Sequence, residues 1–534
     1  MKKFLKNKIA ATSLLTIMSL IGLSGCGNDS NNSTQNGNTN SNSTNNNSQN
    51  ERPAKLTVES DENVIKELTV VNGDAIYGNV RLADYVGSRK VSWWSSDPEV
   101  INPKIHSYVS PGEVKRGNED KEVELIATIG EGSSATQYTQ TVKVKKAPNA
   151  IKDDDYEAYL FCHFVGEGYG KTENGVKIAT GEQMFFALAD VGQGLKFKDM
   201  NGSTMNNLKP VLSSTVGERG VRDPYICRSP EGDTFYLIAT DLSVYTRGGW
   251  GNNNGSNKFT ITGSHCITLW ESHDLVNWTD GRLIEVARED AGMAWAPEMI
   301  YNDETGEYVI FFSSTILNEE MNAIKERDCI YYTTTRDFVH FSETQKFLKN
   351  QPYPEGQEDP QKNSDSPVAI NNNERKIIDA SVMKIGDYYY CAAKDGDNHE
   401  NNGGILIQRT DDLLDIDSWE KVMNLADAGF QAEGRNADNK CLEGPEWFYL
   451  NKADRKNPDV KEIGLMADFY ANTSIGYIPW TTTDIEDKDN SNNSWNRLTS
   501  VDFSWDSQTK RHGTILRITT KEAALLKENF PIAQ

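Results

Sequence analysis

The sequence is poor in positive charge, which limits the partners it can bind. It contains 55 lysine and arginine residues against 78 aspartate and glutamate residues, so the formal net charge is −23 at pH 7. No run rich in lysine or arginine is present that would form a counter-charged face. Because such a face supplies most of the affinity for a phosphate backbone, we expect no nucleic-acid partner.

Cysteine is also scarce, and its seven residues are widely separated. No close pair of cysteines is therefore available to begin a zinc site. The chain nevertheless has enough apolar material for packed cores, since 37% of its 534 residues are hydrophobic and 9% are aromatic. These values exclude a wholly disordered protein and suggest about three domains, unless one all-β unit takes up much of the chain.

The amino terminus has the pattern of an export signal. Lysines at positions 2, 3, 6 and 8 precede an apolar stretch, residues 9–23, that is short for a membrane span. The stretch ends in Leu23-Ser24-Gly25-Cys26, which resembles a bacterial lipoprotein signal and implies removal of residues 1–25 and lipidation of Cys26. We therefore predict an extracytoplasmic protein anchored through Cys26 to the bacterial cell membrane or surface. An ordinary signal peptide with a chance cysteine is the alternative.

Two segments separate this signal from the larger part of the chain. Residues 26–53 are dominated by Asn, Ser, Thr, Gln and Gly, which predicts a disordered tether. Residues 54–147 contain short β-branched runs, at 56–58, 68–70, 91–94, 123–127 and 141–144, between turn residues. They predict about seven strands in a β-sandwich, and the segment that begins at Trp93 resembles bacterial immunoglobulin-like domains. We expect a spacer, with sugar binding through Trp93 or Trp94 as the alternative.

The remaining residues, 155–534, repeat one pattern five times. Each copy has an aromatic or β-branched strand, then an aspartate and then a further aromatic residue. The aspartates recur at intervals of about 60 to 85 residues and are Asp190, Asp274, Asp337, Asp412 and Asp484. We predict an all-β fold, a five-bladed β-propeller whose blades have four strands and long loops.

A second pattern places one ionisable residue near the start of a strand in each repeat. These residues are Asp223, Glu298, Asp379, Glu443 and His512. Because the innermost strands of a propeller surround one axis, equivalent strand ends predict a single pocket that holds four carboxyls and one imidazole. Crowding raises the pKa of some carboxyls, so that one stays protonated while another is ionised. Such a division suits the cleavage of glycosidic bonds.

Five short motifs resemble glycoside hydrolase family 43, whose fold is a five-bladed β-propeller. They are Arg222-Asp223-Pro224, the segment from Ser272 to Trp278, Trp295-Ala296-Pro297-Glu298, Ile378-Asp379-Ala380-Ser381 and Glu443-Gly444-Pro445. The resemblance covers roughly residues 156–520. It implies that Asp223 is the general base, that Glu443 is the general acid, and that Asp379 orients the acid and keeps its pKa high.

The same resemblance implies roles for other residues. Glu298 would line the pocket without carrying a proton, and no cofactor would be required. His512 would lie on the axis near a structural calcium ion held through water. The alternative is that His512 is only a hydrogen-bonded polar side chain in the channel. The expected substrate-binding residues are Arg222, Trp250, Trp295, Glu298 and Trp447. Flat indole rings stack on sugar rings, although core packing is an equal alternative for each tryptophan.

Two features depart from the family pattern. About 65 residues precede the base within this region; we expect them to complete the first and last blades, and they leave Glu167 and Asp190 as alternative bases. Ala380 stands where a proline commonly follows the third aspartate. This change affects backbone stiffness more than chemistry.

The resemblance implies an inverting glycoside hydrolase that acts on arabinose- or xylose-containing plant cell-wall polysaccharides. We expect an α-L-arabinofuranosidase active on arabinan or arabinoxylan. The β-xylosidase and endo-arabinanase activities of the family stay open, because loop shape decides between a closed pocket and a groove. The alternative of another class is a non-catalytic glycan-binding lipoprotein on the cell surface.

Overall fold

The computed structural model describes residues 50–250, 259–353, 355, 374–396, 404–425, 442–470 and 476–532. The predicted signal segment, Cys26 and almost all of the predicted tether lie outside these residues. The structure is nearly all β, with 46% strand and 7% helix. In the described part of the chain, no helix has the length and apolar character that crossing a membrane requires.

Residues 57–144 form a small module, which we call the β module. Its elements are β1 (Thr57–Val58), α1 (Glu62–Leu68), β2 (Tyr85–Val86), β3 (Arg89–Ser95), β4 (Ile101–Asn102), β5 (Glu113–Val114), β6 (Lys121–Ile129) and β7 (Thr136–Val144). Five strands make one sheet in the order β1-β7-β6-β3-β2, and β4 pairs with β5. The seven strands match the predicted number, whereas an immunoglobulin-like arrangement stays a prediction.

The predicted strand at residues 68–70 is wrong, because helix α1 ends at Leu68. The helix begins after Asp61, whose carboxylate accepts hydrogen bonds from two backbone N–H groups of the first turn. Its buried side chains join those of β3 and β6 in one apolar cluster. Trp93 belongs to the core of the module, since its indole N–H donates to the Ala83 carbonyl oxygen (2.9 Å) and its ring packs against two apolar clusters.

The strands of the larger region run from residue 156 to residue 519. They are β8 (Tyr156–Phe164), β9 (Gly170–Glu173), β10 (Val176–Ala179), β11 (Phe185–Asp190), β12 (Leu195–Lys196), β13 (Lys198–Asp199), β14 (Val221–Arg228), β15 (Phe235–Asp241), β16 (Cys266–Ser272), β17 (Arg282–Glu285), β18 (Trp295–Asn302), β19 (Glu307–Leu317), β20 (Ile324–Thr335), β21 (Gln345–Lys346), β22 (Ile377–Ile385), β23 (Tyr388–Asp395), β24 (Gly404–Thr410), β25 (Glu420–Asn424), β26 (Leu442–Tyr449), β27 (Ile463–Phe469), β28 (Gly476–Thr482), β29 (Trp495–Arg497), β30 (Phe503–Ser504) and β31 (Arg511–Thr519). Two helices accompany them, α2 (Val244–Arg247) and α3 (Thr520–Asn529).

Twenty of these strands form five antiparallel sheets of four strands, in agreement with the five predicted repeats. The sheet orders are β13-β11-β8-β31, β14-β15-β16-β17, β18-β19-β20-β21, β22-β23-β24-β25 and β26-β27-β28-β29. The first sheet joins three strands from the start of the region to β31 from its end. The residues that precede Asp223 therefore complete the first and last repeats together, as the sequence predicts.

The five sheets close on themselves through strands β14, β18, β22, β26 and β31, which we call the central strands. Each central strand contacts the next, and β31 contacts β14. Apolar clusters fill the spaces between neighbouring sheets all the way round. We refer to the five sheets as the ring; its closure brings equivalent ends of the central strands to one place.

The β module is attached to the ring at hairpin turns. Arg116 forms an ion pair with Asp233 (2.6 Å), which lies in the turn between β14 and β15. The side-chain amide of Asn79 donates to the Tyr301 hydroxyl and to the Gly306 carbonyl oxygen, both at 3.1 Å. These contacts lie at the ends of the central strands opposite to their first residues.

A buried ion pair joins the two chain ends of the ring and supplies a test of its stability. Lys510 and Asp199 are fully buried, and the other Asp199 oxygen accepts hydrogen bonds from Ser507 and Gln508. Lys510→Met would leave the Asp199 carboxylate unpaired in the interior. We expect it to lower the free energy of unfolding by about 3–5 kcal/mol, as measured by urea denaturation.

The control is Lys527→Met, which breaks an exposed pair between Lys527 and Asp190 (2.7 Å). An exposed pair contributes about 0–1 kcal/mol. Equal unfolding midpoints for the two variants would contradict the importance of the Lys510 pair for ring closure.

Candidate active site

The central strands share a backbone irregularity near their first residues. Each has a β-bulge, located at Arg222/Tyr225, Trp295/Glu298, Ile378/Ser381, Glu443/Glu446 and Arg511/Thr514. Four bulges contain a residue with positive φ, namely Asp223 (50°), Ala296 (46°), Asp379 (54°) and Gly444 (52°). A bulge redirects the side chains around it. His512 occupies the corresponding position of the fifth bulge.

These bulges correct the predicted alignment of the five ionisable residues. Glu443 precedes its bulge residue by one position, and Glu298 follows its bulge residue by two. In these two strands, the bulge position that Asp223, Asp379 and His512 occupy elsewhere is held by the small residues Ala296 and Gly444. A Cβ atom at Gly444 would lie 2.5 Å from the His512 ring, so glycine allows the imidazole to approach the backbone.

Asp223 contacts two polar side chains in the centre of the ring. Its Oδ2 accepts a hydrogen bond from the Thr240 hydroxyl (2.9 Å), and its Oδ1 lies 3.5 Å from Nδ1 of His512. Burial raises the pKa of Asp223, but His512 outweighs this effect and the net pKa is below its ordinary value. The pKa of His512 changes in the opposite direction, because Asp223 raises it to about 9 despite burial. At neutral pH the pair is a carboxylate and an imidazolium.

Asp379 is fixed by two backbone hydrogen bonds. Its own N–H donates to the Ser313 hydroxyl (3.0 Å), and its Oδ2 accepts from the backbone N–H of Gly444 (3.1 Å). Burial, together with the negative charge of Glu443, raises the pKa of Asp379 to about 6, although the His512 imidazolium acts in the opposite direction. Asp379 therefore holds a proton at mildly acidic pH, whereas Asp223 does not.

Glu443 lies between two cations. Its Oε2 accepts from Nζ of Lys394 (2.9 Å), and its Oε1 lies 3.3 Å from Nη2 of Arg511. Burial raises the pKa of Glu443, but Lys394 and then Arg511 outweigh it, so the net pKa is lowered, contrary to the high pKa expected of the acid. Arg511 also donates to Asp468 through Nε (2.5 Å). Three carboxyl groups around one axis are thus placed in three different electrostatic environments.

Sequence reasoning missed both cations, although each leaves a signal. Lys394 is the one lysine within β23, a strand whose other residues are largely apolar and buried. A buried lysine in such a strand needs a carboxylate partner. Arg511 directly precedes His512 and is likewise buried.

Three of the predicted substrate-binding residues come together beside Asp223. The Arg222 guanidinium is buried and donates to Glu182 (2.9 Å), while its central carbon lies 5.3 Å from the centre of the Trp250 ring. Trp250 is 42% exposed and meets Trp295 edge to face at 6.1 Å. This aromatic corner has one accessible ring, which is suited to stack on a sugar.

The two alternative bases lie in different places. Glu167 accepts a hydrogen bond from Arg222 (3.1 Å), and although burial raises its pKa, the charge of Arg222 lowers the net value. It therefore lies at the edge of the site as a partner of Arg222. Asp190 pairs with Lys527 at the surface, and its candidacy as the base is wrong.

Trp447 does not belong to the site. Its side chain is buried in the apolar cluster between the fourth and fifth sheets, where its ring centre lies 6.4 Å from that of Trp495. The prediction that it stacks on substrate is therefore wrong. The bulge between Glu443 and Glu446 explains the error, because it redirects the residues that follow.

The prediction that Glu298 lines the pocket is also wrong, because its side chain is buried. Glu298 is only 3% exposed and lies against Glu446, which is 2% exposed, with Ser381 as a hydrogen-bond partner of both. Burial raises the pKa of Glu298 to about 8 and that of Glu446 well above its ordinary value. Sequence reasoning missed Glu446 as the partner. Burial therefore favours the protonated form of both carboxyls, and the pair lies one layer along the axis from Asp223.

The residues around His512 bear on the expected calcium ion. Among the described residues, no three His, Cys, Asp or Glu side chains are grouped so as to hold a metal ion. Nδ1 of His512 faces Asp223, and as part of an imidazolium it has no lone pair to offer a cation. These residues do not fit direct ligation of a calcium ion by this nitrogen; a calcium ion held through water stays a prediction, and we assign no step to a metal.

Comparison with known proteins identifies the larger region. A family model for a probable glycosyl hydrolase domain, of the group related to glycoside hydrolase family 43, matches residues 154–524. A curated relative, the alpha-L-arabinofuranosidase of Bifidobacterium longum subsp. longum, is 29% identical over 420 residues. That match covers 71% of this chain, which spans only 35% of the relative's length.

Solved structures are similar at low identity, and two of them serve as examples. The alpha-L-arabinofuranosidase from Lactobacillus brevis is 16% identical, with 55% of this chain and 76% of that chain covered and a TM-score of 0.33. The Cellvibrio cellulosa alpha-L-arabinanase complexed with arabinohexaose is 13% identical, with 60% and 92% covered and a TM-score of 0.33. At these values neither likeness bears on fold or substrate, so the family assignment depends on the family model.

The buried Glu298 pair gives a prediction for stability against pH. A carboxyl whose pKa is raised from 4.5 to about 8 on folding contributes stability below pH 4.5 that is lost as the pH rises through about 8. Glu298→Gln removes this titration and keeps the shape. Relative to the parent, we expect the variant to gain stability between pH 5 and pH 8, by a few kcal/mol at most at about 1.4 kcal/mol per pKa unit.

Urea denaturation at several pH values measures this difference. Ser381→Ala is the matched control, because it removes a hydrogen bond to the same pair without removing a titrating group. It should lower stability and keep the pH slope. A parent slope unchanged in Glu298→Gln would show that Glu298 does not titrate in this range.

Proposed function

Because the chain belongs to the family of probable glycosyl hydrolase domains related to family 43, we propose that it is a glycoside hydrolase that releases α-L-arabinofuranosyl units from arabinan or arabinoxylan. The observation that carries this proposal is the meeting of Asp223, Asp379 and Glu443 at the axis of one ring, with unequal pKa shifts. Hydrolysis of a glycosidic bond needs one ionised and one protonated carboxyl at the same time.

Asp223 is the general base of the proposed reaction. Its lowered pKa keeps it ionised at mildly acidic pH, and the contacts with Thr240 and His512 fix the orientation of the carboxylate. It accepts a proton from the water molecule whose oxygen attacks the anomeric carbon. Attack from the face opposite to the leaving group gives inversion.

Glu443 and Asp379 together supply the acid. Glu443 is the group that faces the leaving oxygen, and Asp379 is the neighbouring carboxyl whose raised pKa keeps a proton in the pair. The two titrate as a unit, because the charge of Glu443 is a cause of the Asp379 shift. The glycosidic oxygen receives this proton as the bond to the anomeric carbon breaks.

The substrate is proposed from the relative and from the aromatic corner at Trp250. The curated relative is an alpha-L-arabinofuranosidase, and Trp250 offers an accessible ring beside Arg222. A β-xylosidase or an endo-arabinanase would use the same three carboxyl groups. A glycan-binding protein without activity is the alternative of another class, and intact Asp223, Asp379 and Glu443 argue against it.

The proposed architecture follows from the same features. The ring is proposed to be a five-bladed β-propeller over residues 155–534, and the β module to be an immunoglobulin-like sandwich within residues 54–147. Residues 1–25 would be a lipoprotein signal, and residues 26–53 a tether from a lipid anchor at Cys26. The protein would then act on plant polysaccharide outside the cytoplasm at a membrane surface.

Substitution of the acid tests the function. Glu443→Gln keeps size and hydrogen bonding but cannot transfer a proton, so release of arabinose from arabinan should fall by about 100- to 10,000-fold. Affinity for arabino-oligosaccharides should be retained. Chromatography of the products from arabinan and arabinoxylan measures the rate; free arabinose indicates exo action, whereas oligosaccharides indicate an open groove.

An aryl arabinofuranoside with a good leaving group is the control, because its leaving oxygen needs no proton and its turnover should survive in Glu443→Gln. If the parent protein binds the polysaccharides and releases no sugar from any of them, the protein is a binding protein. Release of xylose alone would replace the arabinofuranosidase with a β-xylosidase.

The pH dependence of the reaction follows from the two shifted carboxyls. The acid must be protonated, and Asp379 has its pKa raised to about 6, so kcat/KM should fall as the pH rises through about 6. The base must be ionised, and the lowered pKa of Asp223 keeps it so at pH 5. Initial rates on an arabino-oligosaccharide between pH 4 and pH 8 test this, and a flat profile across pH 6 would contradict it.

A further inference from the structure

Lys394 is a charged residue at the site to which the sequence resemblance assigns no role. It is the penultimate residue of β23, where it is buried. Its Nζ donates to Oε2 of Glu443 at 2.9 Å and lies 4.5 Å from the centre of the Tyr470 ring. A lysine buried in this way is held in one orientation by its carboxylate partner and by the aromatic face.

The second cation on Glu443 has its own counter-ion. Arg511 contacts Oε1 of Glu443 at 3.3 Å but makes a shorter bond to Asp468, at 2.5 Å. Its positive charge is therefore shared between two carboxylates. Lys394 has no second carboxylate at ion-pair distance among the contacts described, so its charge acts mainly on Glu443.

The charged groups that act on Glu443 come from four strands. They are Lys394 of β23, Arg511 and His512 of β31, Asp468 of β27 and Asp379 of β22. The three cations favour the ionised form of Glu443, and the two carboxylates oppose it. Lys394 is the largest of the favourable influences.

We propose that Lys394 is a positioning residue for the reaction: its ammonium fixes the orientation and the negative charge of Glu443, so that Asp379 holds the proton of the pair in the free enzyme. The inference rests on the proposed function, because it concerns the acid of that reaction. It assigns Glu443 as the group that delivers the proton and Asp379 as the group that stores it.

The proposed step balances in protons and electrons. The proton held by Asp379 in the free enzyme passes to Glu443. The bond between the anomeric carbon and the leaving oxygen then breaks with its electron pair on that oxygen, and the oxygen takes the proton from Glu443, which leaves both carboxyls ionised. Water forms the new bond to the anomeric carbon and gives one proton to Asp223. One proton leaves the pair and one arrives at Asp223, and exchange with solvent restores the starting state.

Lys394→Met tests the inference because it removes the charge and keeps a chain of similar length. Without the ammonium the pKa of Glu443 rises and the pair keeps its proton to higher pH. We expect the alkaline limb of kcat/KM to move up by about one pH unit or more, while the maximal rate falls because Glu443 is less well oriented. Lys394→Arg should return the limb toward its parental position.

The matched control is Lys384→Met. Lys384 also lies near an aromatic ring, 5.1 Å from the centre of Tyr389, but pairs loosely with Asp303 (3.6 Å) rather than with a carboxyl of the site. The Lys384→Met variant should have the same dependence of kcat/KM on pH as the parent. If Lys394→Met lowers the rate equally at every pH, or moves the limb downward, Lys394 does not set the charge of Glu443 and the inference is wrong.

A measurement without turnover separates this inference from the proposed function. Infrared titration of the full chain detects protonated carboxyl groups whether or not sugar is cleaved. The buried Glu298 and Glu446 also contribute protonated-carboxyl bands, so each variant is compared with the parent by its difference spectrum. At pH 5, the band of the Asp379–Glu443 pair should be lost in Asp379→Asn and persist in Glu443→Gln. If it disappears in Glu443→Gln and persists in Asp379→Asn, the proton is stored on Glu443 and the inference fails, even where the hydrolase activity is confirmed.

Discussion

The pairing of β31 with β8 is the contact on which the candidate site depends. It joins the last strand of the ring to the first sheet, in a register that sets Thr514 opposite Cys162. Because β31 also contacts β14 and β26, this one strand carries His512 to Asp223 and Arg511 to Glu443. Without it the ring would lack both the partner of the base and one of the two cations on the acid.

Charge balance in the buried centre divides the work among three similar carboxyl groups. Asp223 has an imidazolium, Glu443 has two cations, and Asp379 has one backbone N–H, that of Gly444, and a share of the His512 field. All three are buried, so burial alone would raise every pKa. The specific partner decides which carboxyl stays ionised. The same rule explains the Glu298 and Glu446 pair: the charge of His512 lowers the pKa of Glu298 by less than burial raises it, so both carboxyls keep raised pKa values.

The sequence predicts the five repeats and the central positions of Asp223 and Asp379, but it does not predict the layers along the axis. Asp223 and Asp379 can be found because they begin strands at repeat spacing. Glu298 shares that spacing and yet lies one layer away. The bulge between Trp295 and Glu298 inserts an extra residue and so changes the direction of the side chains that follow, which the spacing does not record. Lys394 and Arg511 come from other positions in the repeats, and only the closed ring brings them to Glu443.

The strained backbone at Asp379 is held in place although Ala380, and not proline, follows it. A positive φ at a non-glycine residue costs of order 1–3 kcal/mol, and proline follows the left-handed residue in three of the central strands, where its ring restricts the next φ. Ala380 removes that restriction after Asp379, which nevertheless keeps a φ of 54°. The hydrogen bonds from Asp379 N–H to Ser313 and from Gly444 N–H to its carboxylate supply the constraint instead. The bond to Gly444 joins Asp379 to the residue after Glu443, so the device that holds the strained backbone also holds the two members of the acid pair together.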